Sequence, residues 1–246
     1  MSVTRPCAVV PVYNHEHAIG AVVAGLRAAG LDCLLVDDGS SAACAAALDR
    51  LADADQAVRV LRLPVNQGKG AAVAAGLEAA LLDGYTHALQ IDADGQHDVT
   101  DVPRFLRESA AHPGALIAGR PVFDASMPRA RFYGRYASHV MVWLNTLSFD
   151  IPDSMCGFRV YPLAPVVDVI REERPGSRMD FDLELLVRLH WRGVPMRWLD
   201  ASVRYPTDGI SHFRPLDDNL RISWMHTRLV FGMLRRLPRL LRGKFA

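Results

Sequence analysis

The feature that most constrains this chain is the alternation, through its first half, of short β-rich runs with Ala/Leu-rich stretches of helical spacing. Residues 7–12, 33–36, 58–63 and 85–91 read as strands, and 18–29, 42–52 and 70–82 as helices. A run of βα units predicts an α/β fold with a mostly parallel central sheet covered by helices on both faces. Half of the 246 residues are apolar, enough for one substantial core.

The second half is less regular. A strand is expected over 115–119, a basic segment over 120–135, a helix over 136–147 and a loop over 150–159. A helix over 181–192 and a strand-like stretch over 196–205 follow. With no repeat or linker in view, the organisation expected is one domain over 1–218 and a basic extension over 219–246.

Polar residues collect just after the strands: Tyr13 and Asn14, Asp37 to Ser40, Asn66 to Lys69, and Asp92 to His97. In open α/β sheets, ligands bind beyond the carboxyl ends of the strands. Asp92, Asp94 and the amide of Gln96 share one tight turn, an oxygen set that suits Mg²⁺ or Mn²⁺ together with substrate phosphates. Taken alone, the same pair also describes a solvated acidic turn. Asp37 and Asp38 offer carboxylates to base or ribose hydroxyls, or else build a turn that caps the next helix through Ser40 or Ser41.

Other nucleotide chemistries fit less well. The stretch 66–70 looks like a phosphate loop, yet Leu63 stands where its first glycine belongs and Gly70 follows the lysine in place of Ser or Thr. No Gly-x-Gly-x-x-Gly follows the first strand, against a dinucleotide-dependent oxidoreductase. The net charge of +1 and the lack of a nucleic-acid motif argue against nucleic acid as partner.

Taken in order, Val10-Pro11-Val12-Tyr13-Asn14, Val36-Asp37-Asp38-Gly39-Ser40, Asn66 to Gly70 and Asp92 to His97 resemble the family 2 glycosyltransferases, most nearly their dolichyl-phosphate or polyprenyl-phosphate sugar transferase branch. The resemblance covers about residues 7–210. It implies a GT-A (Rossmann-like) fold, a UDP- or GDP-linked sugar donor, a divalent cation and inversion at the anomeric carbon. It places Pro11, Tyr13, Asn14 and Asp37 or Asp38 around the nucleoside, Asn66 and Lys69 beside the donor, and Asp92, Asp94 and Gln96 at the cation. Arg120, Arg131 and Arg159 would meet donor phosphates. Asp153 to Arg159 resembles that branch's Asp-x-x-Ser-Gly-Phe-Arg loop, with Cys156 in the serine's place, which we read as a buried thiol and not a nucleophile. His15 stands where the branch often has Glu, and 205–212 lacks the branch's Arg and Lys.

A hydroxyl acceptor must lose its proton, whereas a lipid phosphate arrives ionised. The candidate bases are Asp153, first by likeness, then Asp182 and Glu184. The last two stand two residues apart on one expected helix and cannot share a face, and Glu184 has Arg188 four residues on as an ion-pair partner.

From Asn219 onward no acidic residue occurs, while seven basic residues are interleaved with apolar ones such as Ile222, Trp224, Met225, Leu229, Phe231 and Leu234. Such a segment resembles an amphipathic helix lying in the headgroup region of an anionic membrane, which Pro238 would kink or divide. The alternative is a helix packed on the domain with a solvated basic face. No apolar run reaches the roughly 20 residues needed to span a bilayer. Four scattered cysteines and no leader-like segment fit a reduced, cytoplasmic protein, peripheral on the inner face of the membrane.

The expectation is therefore an inverting glycosyltransferase acting on a lipid-linked or apolar acceptor. Transfer to a soluble hydroxyl acceptor is one alternative and a non-catalytic nucleotide-sugar-binding scaffold another; the acidic set of Asp92, Asp94 and Asp153 argues against the scaffold.

Overall fold

A computed structural model describes residues 4–123, 129–203 and 215–242. Its elements are β1 (Pro6–Val12), α1 (Ile19–Ala28), β2 (Asp32–Asp37), α2 (Ala42–Ala54), β3 (Val58–Arg62), α3 (Lys69–Leu82) and β4 (His87–Gln90). They continue with α4 (Val102–Ala111), β5 (Leu116–Phe123), α5 (Arg129–Thr146), β6 (Arg159–Pro162), α6 (Leu163–Glu173), α7 (Phe181–Trp191), β7 (Met196–Val203) and α8 (Pro215–Arg242).

Seven strands form one sheet in the order β3-β2-β1-β4-β6-β5-β7. Only β6 runs against its neighbours β4 and β5; the other pairings are parallel. The first strands read as continuous apolar runs because both faces are covered. Cys7 and Val9 of β1 point into a core under α3, α6, α7 and α8, while Ala8, Val10 and Val12 point into a second core under α1, α2 and α4. Helix α3 lies close on β1, since a Cβ on Gly76 would meet Val9 Cγ1 at 2.4 Å.

All the expected strands and helices are present; most ends are displaced by a few residues, but α5 begins at Arg129 and not at the expected 136, and 204–205 of the last expected strand lie outside the described residues. Three elements were not anticipated: α4, β6 and α6. Strand β6 is only Arg-Val-Tyr-Pro, too short and polar to carry a period-two signal, and α6 has Pro165 in its first turn.

The C-terminal helix begins earlier than its basic stretch. It opens on Pro215, with Asp217 and Asp218 in a first turn that suits their charge. It is not divided at Pro238 but runs on to Arg242. Met225, Leu229 and Met233 are buried in the core shared with α7 and Val142 of α5. Among the described residues no helix is long and apolar enough to cross a membrane.

Candidate active site

The turns that carry the polar motifs converge at the carboxyl ends of β1, β2 and β4. Asn14 takes a left-handed conformation (φ 57°), and its amide donates to Ser40 Oγ at 3.2 Å. Its side-chain oxygen accepts from Ser41 N at 2.8 Å, so the loops after β1 and β2 brace each other. Pro11 is buried within β1 and Tyr13 is half-buried beyond it.

Asp37 and Asp38 are both committed to holding loops in place. Asp37 accepts from Ser40 N at 2.9 Å and from Arg62. Asp38 accepts from Asn66 Nδ2 at 3.0 Å, Gln67 N at 2.7 Å and Gly68 N at 2.8 Å, which ties the loop after β3 to β2. Burial pushes the Asp38 carboxyl upward against these donors. Asn66 is also held by Arg178, which donates to its Oδ1 at 3.2 Å.

Lys69 opens α3 and reaches under the acidic turn. Its ammonium donates to Asp92 Oδ2 at 2.9 Å, with Asp92 Oδ1 at 2.7 Å and Asp182 Oδ2 at 3.2 Å. Burial works against that charge, but Asp182 and Asp92 hold the lysine above its usual range. The chain of contacts continues beneath. Gln90 Nε2 donates to Asp182 Oδ1 at 3.3 Å, Tyr161 Oη to Gln90 Oε1 at 3.0 Å, and Arg159 to Tyr161 Oη and the Asp182 carbonyl. Arg159 is fully buried, so it supports the site from below. Gln90 and Tyr161 were missed by sequence reasoning; the one signal was a glutamine inside the apolar run Ala88-Leu89-Gln90-Ile91.

Asp94 accepts from Gln96 N at 3.0 Å, closing the turn. Burial and the neighbouring charge of Asp92 push the Asp94 carboxyl upward. For Asp92, burial is outweighed by Lys69 and His97, and its carboxyl is lowered. Two carboxylates this close, one disfavoured by the other, fit a divalent cation that also takes phosphate oxygens. Among the described residues no group of three or more His, Cys, Asp or Glu side chains forms a metal cage by itself. His97 stacks on Phe158, with ring centroids 5.4 Å apart, and packs the turn.

The other expected residues are placed as follows. Asp153 is buried and fully engaged: Met155 N and Cys156 N donate to Oδ1 at 3.0 and 2.8 Å, and Arg135 Nε to Oδ2 at 2.7 Å with His139 Nε2 at 3.5 Å. Burial would raise its carboxyl, but His139 and Arg135 together lower it. Asp182 faces Lys69, whereas Glu184 points to the far side of α7. There it pairs with Arg188, Arg228 and the amide of Gly176. The expected pairing with Arg188 is present, though buried and not at the surface. Arg120 is exposed and pairs with Asp200 across β5 and β7 at 2.7 Å. Arg131 lies on α5 with its side chain outside the described residues, as does all of 205–212. Cys156 is buried, its thiol pushed up to about 12 by burial, which suits packing and not nucleophilic attack.

Residues 7–165 match the family described as Glycosyl transferase family 2. The chain is 34% identical over 199 residues to the polyprenol monophosphomannose synthase of Mycolicibacterium smegmatis, covering 77% of this chain and 72% of that protein. It is 30% identical over 166 residues to the undecaprenyl-phosphate mannosyltransferase of Micrococcus luteus, covering 64% and 66%. Among solved structures, glucosyl-3-phosphoglycerate synthase from Mycobacterium tuberculosis in complex with UDP superposes with a TM-score of 0.66 at 17% identity, over 94% of this chain and 80% of that one. A mannosyltransferase from Pyrobaculum calidifontis in complex with GDP-Man and Mn²⁺ gives 0.55 at 14% identity, over 85% and 59%. The fold is that of the GT-A glycosyltransferases, and the chain belongs to glycosyl transferase family 2, on the side of its polyprenyl-phosphate sugar transferases.

Proposed function

We propose that the protein transfers a sugar, with inversion, from a nucleotide diphosphate sugar to a lipid-linked phosphate at a membrane surface. The observation that carries this reading is the placement of Asp92 and Asp94 in one turn at the carboxyl end of β4, with Lys69 beside them. In the reading, Asp92, Asp94 and Gln96 hold Mg²⁺ or Mn²⁺, which when bound neutralises charge on the diphosphate leaving group. Lys69 keeps Asp92 ionised and adds a fixed positive charge at the same end of the donor. Tyr13 and the loops braced by Asn14, Asp38 and Asn66 form the walls of the nucleoside pocket.

The engagement of Asp153 supports a phosphate acceptor. A carboxylate held by the Arg135 guanidinium, the His139 ring and two backbone amides, and lowered below its usual range, is a weak base. Asp153 is better read as fixing Arg135 and the loop after α5 than as taking a proton. An acceptor that arrives ionised needs no base, and the names of the polyprenol- and undecaprenyl-phosphate relatives point to the same class. Incubating the protein with labelled UDP- and GDP-sugars, Mn²⁺ and a polyprenyl phosphate tests the reading: label is expected in the organic phase, and none with any donor would sink it.

A further inference from the structure

Helix α8 presents three sides. Met225, Leu229 and Met233 are spent on the core, and Leu220, Trp224, Phe231 and Leu234 form an exposed apolar stripe. The third side carries Arg228 and Arg236, eight residues apart and so on one face of the helix. Arg228 Nη2 donates to Glu184 Oε2 at 2.9 Å, and Arg236 Nη2 to Glu173 Oε1 at 3.3 Å. Arg188 pairs with both carboxylates. Glu173 ends α6 and Glu184 stands in the first turn of α7, so the two acids that meet α8 bracket the loop 174–180.

That loop backs the donor-side loop after β3. Gly176 N donates to Glu184 Oε2 at 2.8 Å. One residue on, the Ser177 carbonyl accepts from Ala71 N at 2.9 Å, and Arg178 donates to Asn66 Oδ1 at 3.2 Å. The two loops touch through their backbones: a Cβ on Gly68 would meet Ser177 O at 2.7 Å, and one on Gly70 the Ser177 carbonyl carbon at 2.8 Å. Residues 66–68 are thus held from one side by Asp38 and from the other by Ser177 and Arg178. Glu184 itself is fully buried, and its carboxylate meets Gly176 N, two donors of Arg188 and one of Arg228. Charge-assisted bonds of this kind, out of reach of water, fix a geometry as well as a charge.

We infer that Glu184 is a positioning residue for the donor: by holding Gly176 it seats Ser177 and Arg178 against Asn66 and Gly68, and through Arg228 it makes donor affinity depend on the seating of α8. The inference rests on the proposed reading of the loop after β3 as a wall of the nucleoside pocket. It gives a part in the reaction to a carboxylate whose position on the far side of α7 keeps it from acting as a base. Lys69 has its own ties to Asp92 and Asp182, so loosening the loop 174–178 moves the wall at Asn66 and leaves the lysine in place. Such a coupling acts on binding and is reciprocal, so bound nucleotide tightens the loop as the loop tightens the nucleotide.

The test uses the full chain, with UDP and GDP, each with Mn²⁺, as probes in calorimetry and with sugar transfer to polyprenyl phosphate in parallel. Arg228→Met removes the tie to α8 at a side chain that is 37% exposed, where the fold tolerates the change. It is expected to weaken nucleotide binding by about tenfold, within the range for residues that touch neither ligand. The KM for the nucleotide sugar should rise in step, while kcat at saturating donor stays within about twofold. Arg178→Met cuts the same chain of contacts at its other end, so the double variant should bind no more weakly than Arg178→Met alone, whereas independent sites would add. Glu184→Gln strands at least one buried donor and should lose as much as Arg228→Met or more; should it not fold, Arg228→Met decides. Hydrogen exchange at 174–178 should slow on adding nucleotide and Mn²⁺ to the wild type, and much less in Arg228→Met. Wild-type affinity in folded Arg228→Met, additive losses in the double variant, or exchange at 174–178 that ignores the nucleotide would each overturn the inference and leave the proposed reaction standing. A wild-type protein that binds neither UDP nor GDP would overturn both.

Discussion

Lys69 Nζ lies 2.7 Å from Asp92 Oδ1 and 3.2 Å from Asp182 Oδ2, bridging the acidic turn after β4 to the first turn of α7. A cation fixed by the protein thus stands next to the carboxylate assigned to a mobile one. Asp92 is held in place and ionised before any ligand arrives, which is the preorganisation that a charge-neutralising site needs.

The space above this pair is kept open by Gly157. A Cβ there would stand 2.9 Å from both Asp92 Oδ2 and Lys69 Nζ, at the reactive end of both side chains. Gly157→Ala should therefore leave thermal stability nearly unchanged while displacing Asp92. Displacements of this kind cost about 10²-fold in rate. Near wild-type turnover with unchanged Mn²⁺ dependence would show that Asp92 has no fixed geometry to protect.

Asp153 is expected to matter through structure. Asp153→Asn removes the charge facing Arg135 and His139, and breaking a buried ion pair from one side costs about 3 kcal/mol or more. The sign follows from its lowered carboxyl: the native state favours the ionised form, so the stabilisation is complete above the unfolded value of about 3.9 and is lost as pH falls through the lower native one. Melting temperatures of wild type and variant should differ at pH 6 and converge in strong acid. If the gap persisted unchanged at the lowest pH that keeps the fold, the ion pair would not be its cause. Activity should show no titration assignable to Asp153 between about pH 5 and 8.

Helix α8 cannot be tested by removal. A chain ending near Leu220 would lose Met225, Leu229 and Met233 from the core along with the exposed stripe. Point substitutions separate the two faces. Met225→Ala should cost about 2–5 kcal/mol in chemical denaturation, and Phe231→Ser, at a 61% exposed position, within about 0.5 kcal/mol. Equal costs would mean that the helix does not pack as described.

What was legible in the sequence followed local pattern. The βα rhythm gave the strands and helices up to β4, and Asp92 to His97 declared itself because two carboxylates follow an apolar run. Asp182 facing Lys69, and Gln90 joined to Tyr161, depend on β6 inserting between β4 and β5, and no local signal marks a four-residue strand that begins on a buried arginine. The two glycine-bordered acidic turns looked alike as sequences. Only the structure shows that Asp38 spends its oxygens on Asn66, Gln67 and Gly68, whereas Asp94 accepts from its own turn at Gln96. In the C-terminal stretch the apolar residues were read as one face, but Met225 and Leu229 lie in the core while Trp224 and Phe231 face outward. Periodicity marks an amphipathic helix and does not say how many of its sides are occupied.

The most direct test of the central claim is transfer of labelled sugar from a nucleotide diphosphate sugar to polyprenyl phosphate, run with Mn²⁺, with chelator, and with Asp94→Asn. The account predicts organic-phase product with Mn²⁺ that is lost on chelation and nearly lost in the variant, whose melting temperature matches wild type without ligand. Product formation that survives both chelator and Asp94→Asn would contradict the assignment of the Asp92–Asp94 turn to a cation on the donor diphosphate.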